Sequence, residues 1–134
     1  CAGAGEDISF DVALINTFSC HVYCFDHTPR AVAHVTQLIT KVRTGQTMFI
    51  NHDPETTYHL SISDLDKLHF FDCGLFGESK RMRFYAPQKV SHVSHSVLNL
   101  QQTDHFFEAA CKNLSTIMKE LGHSRLDLLK LDIE

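Results

Sequence analysis

With 134 residues, 43% of them hydrophobic and 21% charged, the chain is long enough for one globular domain with a real core. A net charge of −4 offers no polycationic face, which excludes a nucleic-acid partner held by electrostatics. No apolar stretch approaches the ~20 residues of a membrane-spanning helix. The five cysteines, odd in number and mostly set in apolar runs, read as reduced thiols of a cytoplasmic protein.

In chain order, Cys1-Ala-Gly3-Ala-Gly5 is a glycine-bracketed turn, of the kind that follows a strand and lets backbone approach a nucleotide-like ligand. Phe10, Ala13, Leu14, Thr17 and Phe18 recur at helical spacing and predict a helix with that stripe buried. The β-rich run Cys20–Phe25 predicts a buried strand ending at Asp26. Thr28 as cap and Pro29 at the first helical position open a second helix. Its inward residues are Val32, Val35, Leu38, Ile39 and Val42, and Gly45 lies past its end. Thr47–Ile50 reads as a short strand and Asp53-Pro54 as a turn.

Leu68–Phe71 predicts a strand that ends in Asp72-Cys73-Gly74, and Arg81–Tyr85 alternates as a half-exposed strand does. Residues 87–105, rich in Ser, His, Gln and Asn, predict a long loop. Phe106–Leu114 reads as extended, and Ser115–Leu121 as a short helix capped by Ser115 and stopped by Gly122. The strand Leu126–Leu131 then delivers Asp132-Ile133-Glu134. Strands alternating with helices predict an α/β fold: a mostly parallel sheet in a single domain over residues 1–134, with helices on both faces.

Four features fall at predicted strand ends: the Gly3/Gly5 turn, Asp26, Asp72-Cys73-Gly74 and Asp132-Ile133-Glu134. In an open α/β sheet such ends share one edge, where ligands bind. Asp26, about twenty residues beyond the turn, is placed to accept hydrogen bonds from ribose hydroxyls, and also to cap the helix at Thr28-Pro29. A nicotinamide dinucleotide would want a small residue where Ile8 stands, and would meet Glu6 and Asp7 at its pyrophosphate. A cationic, ribose-bearing ligand suits the turn better, and S-adenosylmethionine is one. A nucleotide-dependent oxidoreductase is therefore disfavoured.

The stretches GAGEDISFD, VYCFDHTPRA, SHVSHSVLNL and above all LSTIMKELGHSRLDLLKLDIE resemble the FkbM-type S-adenosylmethionine-dependent methyltransferases from end to end. The resemblance implies a Rossmann-like methyltransferase fold, S-adenosylmethionine as cofactor, and O-methylation of a sugar or other small-molecule hydroxyl. Carried over, Gly3 and Gly5 lie against the cofactor's methionine part, Asp26 holds the ribose and Gly74 and Leu75 border the adenine. Asp132 then faces the methyl-transfer site. Relatives carry an acidic residue where Cys1 stands, and Glu6 or Asp7 is expected to supply that charge to the ammonium group. The strand expected before the glycine turn is reduced to Cys1-Ala2, and the Gly-Ala-Glu expected after Glu134 is absent. The chain thus reads as a partial domain, truncated at both ends.

For the proton of the acceptor hydroxyl, His92 and His95 have the suitable pKa range and Asp132 the suitable position. Asp132 and Glu134 point to opposite faces of one strand and make a poor chelate, so no metal is expected. Cys20 and Cys24, about 13 Å apart along a strand, cannot grip one zinc ion. A small-molecule or glycan acceptor is the expected partner, and a homodimer is an open alternative. The competing reading is a non-catalytic binding or assembly domain that keeps the fold.

Overall fold

The computed structural model describes residues 1–50, 53, 55–85, 97–98 and 102–133. The elements run α1 (Ser9–Phe18), β1 (Val22–Phe25), α2 (Pro29–Arg43), a 3-10 helix (Ile62–Lys67), β2 (Leu68–Phe71), β3 (Gly74–Leu75), β4 (Lys80–Tyr85), β5 (Phe106–Lys112) and α3 (Leu114–Leu121). No described helix is long and apolar enough to cross a membrane.

Among the described residues two small sheets carry the fold. In the first, β1 pairs in parallel with β2, Val22 opposite Leu68 through Phe25 opposite Phe71. Ala2 extends it by a parallel bridge to Phe25 and a second parallel bridge to Leu131. The hydrogen bonds are regular: Gly3 N to Phe25 O at 3.0 Å, Ala2 N to Lys130 O at 3.0 Å, Asp132 N to Ala2 O at 2.9 Å. Across this edge the segments stand third, second, first, fourth in chain order, so the direction of winding reverses at Ala2.

In the second sheet β5 lies between β3, parallel to it, and β4, antiparallel over Lys80–Tyr85. The expected mostly parallel sheet is therefore corrected to a mixed α/β arrangement whose longest ladder is antiparallel. The long loop expected over 87–105 lies, apart from 97–98 and 102–105, outside the described residues.

Val12 and Ile15 of α1, Val35, Leu38 and Val42 of α2, Val22 and Cys24 of β1, and Leu68 share one core cluster. Both long helices thus pack on the same face of the parallel sheet, not on opposite faces. Two successive crossovers of one hand, stepping the same way across a sheet, place their helices on one side. The opposite face carries an aromatic ladder: Tyr23 stacks on His69 at 4.4 Å, Phe25 on Phe71 at 4.8 Å, and His123 meets Tyr23 edge-on. A second cluster, Met82, Phe84, Ala109 and Cys111, joins β4 to β5.

Several local expectations change. The buried side of α1 is Ile8, Asp11, Val12 and Ile15, while Phe10 and Phe18 are 46% and 70% exposed. A buried carboxylate at Asp11, which receives the Cys24 thiol, breaks the apolar periodicity from which the face was read. Leu126–Leu131 forms no strand beyond the bridge at Leu131, and its leucines are exposed. Thr47–Ile50 contributes only the bridge Phe49–Thr57. Asn113 caps α3 in place of Ser115, accepting from Thr116 N at 2.8 Å, and Gly122 ends that helix in the left-handed region. Asp53 makes its turn as expected, accepting from Glu55 N and Thr56 Oγ1; the rest of the Asp53-Pro54 expectation lies outside the described residues.

Candidate functional site

A crevice of about 740 Å³ opens at the carboxyl ends of the parallel segments, where the winding reverses. Gly3, Gly5, Glu6 and Asp7 from the first turn line it, with Asp26 from the end of β1. Gly74 and Leu75 of β3 close another wall, and Asp132 follows the Leu131 bridge into it. Every expected site residue that the structure describes borders this one crevice. His92, His95 and Glu134 lie outside the described residues.

The turn is held by Asp26, which is 7% exposed. Its Oδ2 accepts from the Ala4 and Gly5 amides, both at 2.9 Å. Its Oδ1 accepts from Thr28 N at 2.8 Å and Thr28 Oγ1 at 2.7 Å. A carboxylate has about four acceptor positions, and four internal donors fill them. Asp26 clasps the glycine turn to the start of α2, so the Thr28 hydroxyl bonds Asp26 instead of capping the helix backbone.

The two glycines do different work. Gly3, at φ +83°, faces the Asp132 backbone so closely that a Cβ would stand 1.9 Å from its carbonyl oxygen. Gly5, at φ +56°, has nothing within 4 Å of that position and leaves the floor of the crevice open. At Gly74 a Cβ would meet Cys111 Sγ and His27 Nδ1, both at 2.8 Å, so the glycine lets His27 seat between the two sheets.

The charges are sorted. Glu6 pairs with Arg30, and the more exposed Asp132 lies 3.8 Å from Lys130 Nζ. Asp7 Oδ1 accepts from Ser9 N at 2.8 Å, which supports the start of α1. Tyr58, whose hydroxyl accepts from Ile8 N at 3.1 Å and meets His34 Nε2 at 2.9 Å, is pushed up to about 12, chiefly by burial. Burial likewise raises the thiols of Cys24, Cys73 and Cys111, and all five cysteines are free. Among the described residues no group of three or more His, Cys, Asp or Glu could hold a metal ion.

Some lining residues escaped the sequence reading. His27, next to Asp26, packs its ring 3.8 Å from that of Phe84, and both border the crevice with Phe76 and Arg30. The alternation of β4, which buries Met82 and Phe84, was the available signal for Phe84. No protein-family model, curated protein or solved structure matches the chain.

Proposed function

We propose that the chain is an S-adenosylmethionine-dependent methyltransferase domain of Rossmann-like type, acting on a hydroxyl of a sugar or other small molecule. The observation that carries the reading is the gathering of Gly3, Gly5, Asp26, Gly74 and Asp132 around one crevice at the reversal of winding. Open sheets wound third, second, first, fourth take nucleotide-like ligands at that point. The residue types fit as well: Glu6, Asp7 and Asp132 suit a ligand with sulfonium and ammonium groups, and Gly74-Leu75 with Phe76 suits a flat base. The resemblance of the terminal stretch to FkbM-type enzymes points the same way.

The cofactor supplies an electrophilic methyl group. The chain's own task is alignment, because an in-line displacement needs acceptor oxygen, carbon and sulfur held in one geometry. In this reading Asp132, whose side chain is 79% exposed and 3.8 Å from Lys130 Nζ, orients the acceptor hydroxyl. His92 or His95 is the candidate base for its proton.

One observation favours the non-catalytic binding or assembly domain instead: the four internal donors on Asp26 leave it no acceptor position for a ribose hydroxyl. Calorimetric titration with S-adenosylhomocysteine, S-adenosylmethionine and NAD separates the readings. Binding of the first two without NAD supports the transferase; silence toward all three leaves the binding domain.

A further inference from the structure

A second cavity, of about 960 Å³, runs along α2 beside the crevice. Arg30, His34, Gln37 and Lys41 line one wall, spaced four, three and four residues apart and so on one stripe of the helix. At 1.5 Å per residue this stripe extends about 16 Å. Met48 and Phe49 form the other wall, and Phe49 is 47% exposed. Among the described residues Glu6 is the only carboxylate on it, and Glu6 is already paired with Arg30. Lys41 has no carboxylate partner among the described residues. On a chain of net charge −4, this groove is locally positive.

Glu6 and Arg30 line both cavities, so their ion pair is the partition between an acidic crevice and a basic groove. We propose that the groove holds the acidic part of the acceptor, a sulfated or carboxylated oligosaccharide. Its anionic groups would lie on Lys41 and Arg30, and one ring face against Phe49. The assignment of this ligand as acceptor rests on the transferase reading; the groove as a saccharide site does not. Arg30 and Lys41 stand at the two ends of this ~16 Å stripe, so they match two separated anionic groups on a linear ligand rather than one compact anion. The exposed aromatic ring beside hydrogen-bonding side chains is a lining suited to a sugar.

The test is titration of the full chain with a sulfated heparin disaccharide, its desulfated, carboxyl-reduced counterpart and inorganic sulfate, followed by amide chemical shifts and calorimetry. The expected result is saturable binding of the sulfated disaccharide that weakens with salt and shifts the resonances of α2 and residues 48–49. Lys41→Glu and Phe49→Ala should each weaken it by about tenfold, with Lys41→Gln as a milder variant should the reversal perturb folding. Absence of binding at low salt, equal affinity for the uncharged disaccharide or for sulfate, or indifference to Lys41 overturns the proposal. S-adenosylhomocysteine is titrated separately. A chain that takes the saccharide but not the nucleoside keeps the groove and loses the transferase, and the converse loses only the groove.

Discussion

Gly3 and Gly5 share left-handed backbone but not surroundings, and substitution separates conformational strain from steric exclusion. Gly5→Ala meets open space and should cost about 1 kcal/mol, the ordinary penalty of a Cβ in that region. Gly3→Ala must also displace the Asp132 carbonyl, and should cost about 3 kcal/mol or more while loosening the 130–132 segment. Thermal unfolding of the two variants checks the ranking, and equal losses would contradict the close approach. Asp26→Asn replaces one acceptor oxygen by a donor amid four donors, and should destabilise the ligand-free chain by at least about 2 kcal/mol. A purely ligand-holding Asp26 would leave that stability unchanged. The position of Asp26 beside the turn was legible in the sequence. Its saturation was not, because three of the four donors are backbone amides whose directions only the folded turn sets.

At the level of elements, the amino end of the β1–β2 pair carries a histidine contact, His21 Nδ1 to His69 Nε2 at 3.0 Å. His69 sits below its ordinary value because it is partly buried and because His21 and His123 are near, Asp66 opposing weakly. A histidine depressed in the folded state favours folding while neutral. That contribution is complete above about 6.5, the unfolded value, and is lost as pH falls through the lower folded value. The melting temperature should therefore drop on going from pH 7 to pH 5, and His69→Phe, which keeps a ring against Tyr23, should flatten the drop. Identical slopes would remove His69 from the account. The strands β1 and β2 were readable because each is a short run dominated by aromatic and other apolar residues. The face of α1 was not, since the residue that completes its buried side is the carboxylate of Asp11 and no apolar pattern marks it.

For the whole molecule, the convergence on one crevice was legible because strand ends in an α/β sheet share an edge, whatever the local detail. The antiparallel half was not, because β4 and β5 are about twenty residues apart in the chain, and a connection of that length fixes neither the direction nor the register of their pairing. The Leu126–Leu131 run shows the remaining gap: its composition is that of a buried strand, yet it holds to the sheet only around Ala2. Leu126, Leu128, Leu129, Leu131 and Ile133 are 41% to 55% exposed, and among the described residues no strand pairs with the far side of this run. Apolar side chains beside unpaired backbone groups template the addition of a strand. A second copy of the chain is the partner that is always present. Sedimentation velocity should accordingly show self-association that grows with protein concentration through the micromolar range. Leu128→Lys with Leu129→Lys should return it to monomer while the circular dichroism stays the same, since neither side chain belongs to either core cluster. A wild-type chain that sediments as one monomeric species throughout would show that this edge, though apolar and open, does not recruit its own copy.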